Sequence, residues 1–426
     1  MVILAGLLTG DGLMLAAAWS RGYAWIMRYF SWISALFILA ACDSGHQRVK
    51  VTIDFFSVPA VAGTGVNLTT VAGQPTLTWI EGDSTHAQLK WSQFRDDTWG
   101  EPRLISQGTD WFINSADFPA LFASSATTWF AHWLRKSVSS THAYNVMTAV
   151  SIDGGASWRA AGSPHRDGTP TEHGFVSFYR TLDGAGGMAW LDGRNTSGAH
   201  GAHSGAMTLR TATWGSSAAW EDSNELDPRV CDCCPTDAAM AESGPLVVYR
   251  DRSSEEIRDV ALVRQVDGRW SQPIRVHADG WRIEGCPVNG PAIAARDRAV
   301  AVVWFTMAGE DAAVKVSESA DGGYSFAAPL RLDQDQPLGR VDLGMLSDQR
   351  LIVSWLETDR FDETRIHLAL LEAGEIIYRT QLGEAGATPD SGFPRLAVTI
   401  DDDVWLAWRE QADNNSRLRS ARVRFE

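Results

Sequence analysis

The sequence predicts an all-β fold, a β-propeller built from four-stranded blades. Seven short apolar runs each contain an aromatic residue followed by charged or polar residues, and they recur about every 50 to 60 residues. A period held seven times favours repeated blades around one axis over a set of unrelated β-sandwiches. The aromatic residues of these runs are Trp79, Trp133, Trp190, Tyr249, Trp304, Trp355 and Trp408.

Each repeat is predicted to supply four strands. A short apolar strand such as "FPALFAS" precedes the aromatic strand, and a third and a fourth strand follow, as in "DVALVRQ" and "QPIRVH". The seventh repeat has residues for only three strands before Glu426. We therefore expect the segment 49–56, "VKVTIDFF", to supply the missing outer strand and close the ring. Seven blades are favoured, and six would result if the first or last repeat were not a blade.

The first 42 residues are predicted to be an export signal, preceding a single propeller domain over residues 43–426. From Met27 onward, the cation Arg28 precedes a short apolar stretch that ends in "LAAC" at Cys42. This pattern resembles a bacterial lipoprotein signal, in which the cysteine is acylated. The apolar run is shorter than the roughly 20 residues that a membrane-spanning helix needs. The resemblance implies a true start at Met27 and a lipid-anchored protein of the bacterial cell envelope, facing the periplasm or the surface.

The charge of the chain argues against one class of partner. It has 37 Lys and Arg residues against 52 Asp and Glu residues, a formal net charge of −15. A chain this acidic repels phosphate backbones, so nucleic acid is not an expected partner.

Two turns between third and fourth strands carry the same motif. "SIDGGASW" (residues 151–158) and "SADGGYSF" (residues 319–326) both read Ser-x-Asp-x-Gly-x-x-aromatic. Asp153 and Asp321 are expected to accept backbone N–H groups across the hairpin, while the glycines supply positive φ. The turns resemble the Asp box, or bacterial neuraminidase repeat, of the sialidase superfamily. The resemblance implies a propeller that acts on or binds acidic glycans at the channel mouth, as an exo-sialidase-like glycoside hydrolase if it is an enzyme.

One face of the propeller is predicted to carry the functional residues. The ends of the aromatic strands and the connections between blades share this face, and propellers bind ligands at the mouth of the central channel. Sialidases grip a carboxylate with arginines and use acidic residues for catalysis. The corresponding acid candidates are Asp237, Asp342 and Glu172, and the ligand-binding candidates are Arg250, Arg340, Arg395, His173, Asn289 and Asp251.

The family's catalytic pattern is incomplete in this chain. The Arg-Ile-Pro motif of sialidases is absent, and neither Tyr179 nor Tyr249 can be singled out as a nucleophile, because both also suit the packing between blades. The alternative is a non-catalytic propeller that binds a ligand or a protein and carries a stapled or metal-binding pair of loops.

Four cysteines are predicted to meet near the channel mouth, because "CDCCP" and "GCPVNGP" lie on successive connections between blades. Three alternatives stay open for Cys231, Cys233, Cys234 and Cys286. The first is a disulfide from Cys286 to one of the other three. The second is a soft metal site for copper or zinc. The third is a reactive thiol beside Arg229 or Asp237.

Overall fold

The computed structural model describes residues 49–60, 63–139, 142–197, 205–221, 224–388, 391–412 and 415–426. The described residues between Val49 and Glu426 form one compact unit. The predicted signal, with Met27 and Cys42, lies outside the described residues. Within the described ranges, no helix has the length and apolar character needed to cross a membrane.

Seven antiparallel sheets form a ring, which confirms the predicted seven-bladed β-propeller and excludes six blades. Blade 1 consists of β2 (Thr64–Val71), β3 (Gln74–Asp83), β4 (His86–Arg95), β5 (Thr98–Trp99) and β6 (Arg103–Gly108). Blade 2 consists of β7 (Ala120–Ala123), β8 (Trp129–Lys136), β9 (Tyr144–Ser151) and β10 (Arg159–Gly162). Blade 3 consists of β11 (His173–Arg180), β12 (Gly186–Asp192), β13 (Met207–Thr213) and β14 (Asn224–Val230).

The remaining blades repeat this order, with a single 3₁₀ turn among the described residues, Ala308–Glu310, inside blade 5. Blade 4 consists of β15 (Asp237–Ala241), β16 (Gly244–Arg250), β17 (Val260–Val266), β18 (Arg269–Trp270) and β19 (Ile274–Arg275). Blade 5 consists of β20 (Ala292–Arg296), β21 (Ala299–Thr306), β22 (Ala313–Ser319) and β23 (Leu330–Arg331). Blade 6 consists of β24 (Gln336–Met345), β25 (Leu351–Thr358), β26 (Thr364–Glu372) and β27 (Glu375–Glu384). Blade 7 consists of β28 (Arg395–Val398), β29 (Val404–Ala412), β30 (Asn415–Phe425) and β1 (Val51–Ser57).

The N-terminal strand closes the ring, as the sequence predicts. Strand β1 pairs antiparallel with β30, the last strand of the chain, over its whole length. Phe56 of β1 packs with its ring centroid 5.3 Å from that of Trp405 in blade 7 and 4.8 Å from that of Phe94 in blade 1. The closing strand therefore joins the last blade to the first through aromatic contacts as well as backbone hydrogen bonds.

The repeated aromatic residues are buried in the second strand of each blade, and several bond to an acid two positions later. Residues i and i+2 of a strand lie on the same face, so the carboxylate reaches the indole N–H. These pairs are Trp79 with Glu81 at 2.8 Å, Trp190 with Asp192 at 2.9 Å and Trp355 with Glu357 at 2.6 Å. The charge that follows the aromatic residue in the sequence is thus part of the blade core.

The first strands of the blades adjoin one another around the axis, and polar side chains fasten them together. A carboxylate at every second junction accepts a backbone N–H from the next blade. These bonds join Asp117 to Phe175 at 2.8 Å, Asp237 to Ile293 at 2.9 Å and Asp342 to Leu396 at 2.7 Å.

The two Ser-x-Asp turns have the hydrogen bonds that the sequence predicts. Asp153 accepts the backbone N–H of Ser157 at 2.9 Å, and Asp321 accepts that of Ser325 at 3.0 Å. Each serine hydroxyl also donates to the second oxygen of the carboxylate. The Ser157 hydroxyl bond in particular lowers the pKa of Asp153 to about 2. These bonds belong to the turn, on the face opposite the channel mouth.

Candidate functional site

A small cavity of about 120 Å³ lies on the face where the second strands end. Its wall comes from the first strand of blade 1, the connection into blade 2, and the start of blade 7. The lining residues are Thr64, Gly65, Val66, Ile113, Ser115, Ser391, Gly392, Phe393 and Arg409. The hydroxyls of Thr64 and Ser391 are buried and have no hydrogen-bond partner among the described protein groups. Because buried hydroxyls are normally satisfied, these two mark a place for a polar ligand or water.

Asp237 and Asp342 lie in the first strands of blades 4 and 6, on either side of the first strand of blade 5. Burial, and then the neighbouring Asp342 carboxylate, raise the pKa of Asp237 to about 7. Burial also raises the pKa of Asp342, while the Arg395 guanidinium acts in the opposite direction. Asp237 is half-buried and Asp342 is buried. The two predicted acids are therefore close enough to interact electrostatically, and Asp237 is the more accessible of the two.

Arg395, a predicted ligand-binding residue, is already engaged by protein groups. Its Nε lies 3.0 Å from Oδ1 of Asn67 and 3.3 Å from Oδ2 of Asp342. The guanidinium lies 4.8 Å from the ring centroid of Phe118. Arg395 therefore joins blades 1, 6 and 7 at the axis and balances the charge of the Asp342 carboxylate.

Arg340 supports the loop that forms one wall of the cavity. Its guanidinium donates to the backbone carbonyls of Ala387, Thr388 and Gly392, and it lies 6.0 Å from the ring centroid of Phe393. Burial lowers the pKa of Arg340. The side chain thus acts on the cavity through Phe393 and Gly392, which line it.

Glu172 belongs to a different cluster from the other two predicted acids. The Tyr144 hydroxyl donates to Oε2 of Glu172 at 3.4 Å. Burial is the main cause of the raised pKa of Tyr144, and the nearby Asp117 charge is the second. Burial raises the pKa of Asp117 to about 8, and the Glu172 charge adds to this effect. The second carboxyl oxygen of Asp117 is buried without a hydrogen-bond partner in the described structure. These surroundings favour the protonated form of Asp117 at neutral pH.

His173 is fully buried in a network of rings and carboxylates. Its ring stacks on that of His165 with centroids 3.8 Å apart, and its Nε2 bonds to Oδ2 of Asp167 at 3.2 Å, while Nδ1 of His165 lies 3.3 Å from Oδ1 of Asp167. The Val146 backbone N–H donates to Nε2 of His165 at 3.3 Å, so the proton of this neutral ring is on Nδ1, facing Asp167. A metal ligand needs a lone pair at that position. The geometry therefore fits a hydrogen-bonded His–Asp–His network better than a metal site.

Arg250 and Asn289 hold together parts of blades 4, 5 and 6. All three nitrogens of the Arg250 guanidinium donate to backbone carbonyls. The acceptors are the carbonyls of Asn289, Arg258 and Phe305, at 2.6 to 2.9 Å. Oδ1 of Asn289 accepts the backbone N–H of Arg340 at 2.8 Å. Both residues are buried. Their contacts support the loops, and give no support to the predicted direct contact with a ligand.

Asp251 lies at the start of the connection after β16, away from the inner ring. Burial, and then the Asp227 charge, raise the pKa of Asp251 to about 6. One of its oxygens accepts the backbone N–H of Arg252 at 2.7 Å. Asp251 thus belongs to the turn at the end of this strand and is not grouped with Asp237 or Asp342.

The four cysteines meet, as the positions of their loops predict. The sulfurs of Cys231, Cys233 and Cys234 lie within 4.8 Å of one another. A disulfide joins Cys233 to Cys286 on the next connection, with 6.0 Å between the Cα atoms. Cys286 is exposed, and the other three are buried. The bond across the two connections was one of the three alternatives left open by the sequence.

Cys231 and Cys234 are the thiols of this cluster, with their sulfurs 3.1 Å apart. Arg258 donates to the Cys231 sulfur at 3.3 Å, so Arg258, and not the predicted Arg229, is the cation beside the thiols. Burial works to raise the pKa of Cys231, but hydrogen bonding from Cys234 and the charge of Arg258 outweigh it and bring this pKa to about 6. Burial, and then the Cys231 partner, raise the pKa of Cys234.

The same cluster has the donor type that copper or zinc prefers, since thiolates are soft ligands. With Cys233 bonded to Cys286, two thiols are left as protein ligands. A site with more sulfur ligands would require that disulfide to be reduced. The predicted metal site therefore stays a prediction about the reduced protein.

No protein-family model and no curated protein sequence matches the chain. A solved protein of unknown function from Dyadobacter fermentans is 14% identical with a TM-score of 0.49, covering 89% of this chain and 100% of that one. The NanB sialidase from Streptococcus pneumoniae is 9% identical with a TM-score of 0.46, covering 88% and 94%. An α-L-arabinofuranosidase from Fusarium graminearum is 13% identical with a TM-score of 0.46, covering 88% and 98%. The chain is a seven-bladed β-propeller, and its structural neighbours include sialidases.

Several residues of these clusters were missed by the sequence reasoning. Tyr144, His165 and Asp167 fall between repeats or inside strands, where no motif distinguishes them. Arg258 could have been noticed as a charged residue just before an apolar strand. The proximity of these side chains is not visible in the sequence, because they meet only when neighbouring blades pack.

Proposed function

We propose that the protein binds the terminal residue of an acidic glycan in the cavity at the channel mouth. The observation that carries this proposal is the pair of buried, unpartnered hydroxyls of Thr64 and Ser391 in a cavity that Arg409 and Phe393 also line. Hydroxyls suit the hydroxyl groups of a sugar, an aromatic ring suits its apolar face, and a guanidinium suits its carboxylate.

The size of the cavity supports a small ligand. Pockets for drug-sized ligands have volumes of roughly 300 to 1,000 Å³, and this cavity, at about 120 Å³, is smaller. We therefore expect it to accept one sugar unit at a chain end. The rest of the glycan would extend across the face of the propeller.

The proposal predicts that binding depends on the sugar carboxylate and on Arg409. The purified protein should bind a sialic acid-terminated or uronic acid-terminated oligosaccharide more tightly than the same oligosaccharide without the acidic sugar. Arg409→Gln should weaken binding of the acidic form by on the order of tenfold, since a charged hydrogen bond contributes about 1.5 kcal/mol or more. Titration calorimetry measures both affinities.

The matched control is Arg298→Gln. Arg298 is an exposed arginine that lines a different groove and does not line this cavity. This variant should bind as the unaltered protein does. Equal affinity for acidic and neutral glycans, or equal loss in both variants, would contradict the proposal.

Glycoside hydrolysis is a second candidate function, and the Asp237 carboxyl is the observation that favours it. A group with a pKa near 7 exchanges protons efficiently at neutral pH, as a general acid or base must. The charge of Asp342 acts on this carboxyl group, and glycosidases work with a pair of carboxyl groups. A chain of contacts links this acid pair to the cavity. Phe118 contacts Arg395, and its ring centroid lies 5.9 Å from that of Phe393 in the cavity wall.

If the protein is a hydrolase, Asp237→Asn should abolish turnover of acidic glycosides while leaving their binding in place. The asparagine keeps an oxygen for the Ile293 backbone N–H but has no proton to transfer. Release of free sugar from a panel of sialosides and uronides, followed by chromatography, measures turnover. Full activity in Asp237→Asn would exclude this role, and binding without turnover in the unaltered protein would leave the glycan-binding function alone.

A further inference from the structure

The four cysteines are arranged as two pairs with different access to solvent. The Cys231 and Cys234 thiols form a buried pair, three positions apart in sequence, with 3.1 Å between their sulfurs. The Cys233–Cys286 disulfide runs from inside this cluster to the exposed Cys286. Cys233 is the member that connects the pairs, since its sulfur lies within 4.8 Å of both buried thiols.

We propose that these residues form a thiol–disulfide relay, which moves a disulfide between the exposed Cys233–Cys286 position and the buried Cys231–Cys234 position. Exchange requires a thiolate beside a disulfide sulfur, and the Cys231 sulfur lies within 4.8 Å of the Cys233 sulfur of the disulfide. Cys286 is an exposed residue, so the disulfide meets solvent on its side, where an external thiol or disulfide can react. The buried pair is out of reach of such a reagent except through the disulfide.

The exchange balances without an added oxidant or reductant. The Cys231 thiolate attacks the Cys233 sulfur, the Cys233–Cys286 bond breaks, and Cys286 leaves as a thiolate. The Cys234 thiol then passes its proton to the Cys286 thiolate and attacks the Cys231 sulfur, which releases Cys233 as a thiolate. One disulfide and two thiol-type sulfurs are present before and after. Net oxidation or reduction of the protein enters only from an external thiol or disulfide at Cys286.

The surroundings of Cys231 favour it as the attacking sulfur. Arg258 donates to it from a buried position, and the Cys233 backbone N–H also bonds to it. These contacts stabilise the thiolate form, which is the nucleophile in exchange. Cys234 accepts the backbone N–H of Asn289, so the second thiol is held by the same loop that carries Cys286. Arg258 acts as a positioning residue, through Cys231.

The sequence makes the two disulfide arrangements easy to distinguish. Cleavage after arginine places Cys231, Cys233 and Cys234 in one peptide, residues 230–250, and Cys286 in another, residues 283–296. A Cys233–Cys286 bond links the two peptides. A Cys231–Cys234 bond is internal to the first peptide and leaves Cys286 free for alkylation.

The test equilibrates the full-length protein with glutathione buffers of graded redox potential, followed by acid quench, alkylation and peptide mass mapping. The relay predicts that the protein with one disulfide contains both isomers, the linked peptides and the internal disulfide with free Cys286. Cys231→Ser, which lacks the attacking sulfur, should leave only the linked isomer. If the linked isomer is the sole one-disulfide species in the unaltered protein, the relay does not exist.

A kinetic measurement tests the role of Arg258. In this measurement, fully reduced protein receives a pulse of oxidised glutathione. Arg258→Met should approach the equilibrium mixture on the order of tenfold more slowly, because a smaller fraction of Cys231 is then ionised. The higher nucleophilicity of the remaining thiolate offsets this loss only in part. Arg258→Lys keeps the charge and should be closer to the unaltered rate. An unchanged rate in a folded Arg258→Met protein would remove Arg258 from the mechanism. One equivalent of copper or zinc bound by all four sulfurs in the isolated protein would overturn the relay in favour of a metal site.

Discussion

Replacing Asp117 by asparagine is expected to stabilise the protein by several kcal/mol at about pH 9 and by only about 1.5 kcal/mol at about pH 5. Asp117 is buried, its pKa is raised to about 8, and one of its oxygens has no partner in the described structure. The unfolded chain ionises this carboxyl near pH 4, whereas the folded protein holds the proton until about pH 8. The contribution of Asp117 to the free energy of unfolding is therefore fully present below pH 4. It falls by about 1.4 kcal/mol per pH unit as the pH rises to about 8.

Asparagine resembles the protonated acid and cannot ionise, so this part of the pH dependence should disappear. Its side-chain oxygen can still accept the Phe175 N–H. Urea denaturation across this pH range measures the free energy of unfolding of both proteins. Asp321→Asn is the control: the Ser325 hydroxyl bond in particular lowers the pKa of Asp321, so any loss from this group occurs in acid, below the tested range. Parallel curves for Asp117→Asn and the unaltered protein would show that Asp117 is ionised in the fold.

Gly290→Ala is expected to destabilise the protein by about 3 kcal/mol through the clash of two loops. A Cβ atom at Gly290 would lie 2.0 Å from the backbone oxygen of Pro235 and 2.7 Å from its carbonyl carbon. These are backbone atoms that no side-chain rotation can move. The connections that carry Cys234 and Cys286 would have to separate, with loss of the hydrogen bond from Arg250 to the Asn289 carbonyl.

The same loop supplies a matched control in Gly285→Ala. A Cβ at Gly285 would meet only the Ile283 side chain, at 3.9 Å, and Gly285 has an ordinary backbone conformation. Chemical denaturation should therefore show little change for Gly285→Ala and a clear loss for Gly290→Ala. Equal stability of the two variants would mean that the connections can separate at no cost.

The architecture was predictable because it depends on local repetition. An aromatic residue that recurs at a constant period must be buried in each blade, and in three blades the acid two residues later bonds to the indole N–H. The closing strand was predictable by counting, since the seventh repeat lacked a fourth strand. These features follow from residues close together in the chain, or from the number of strands that a blade needs.

The roles of individual charged residues were not predictable in the same way. Arg250 and Arg340 looked like ligand-binding residues, but their donors go to backbone carbonyls of neighbouring loops. Asp237 and Asp342 were identified, yet their bonds to the next blade were not, because such bonds join residues more than 50 positions apart. A sequence shows the charge of a side chain, and only the packing of blades shows which groups neutralise it.

The pairing of β1 with β30 means that the ring can close only after the last strand has been synthesised. Asp54 and Arg424 are 370 positions apart and bonded at 2.9 Å, so the earliest described strand to be synthesised must wait for the last one before it can pair. Contacts this distant in sequence form late and slowly. Until then both strands are open edges, which can pair with another molecule as readily as with each other. A truncated chain without β30 would leave β1 and β29 as open strand edges, and association between copies through these edges is the expected product.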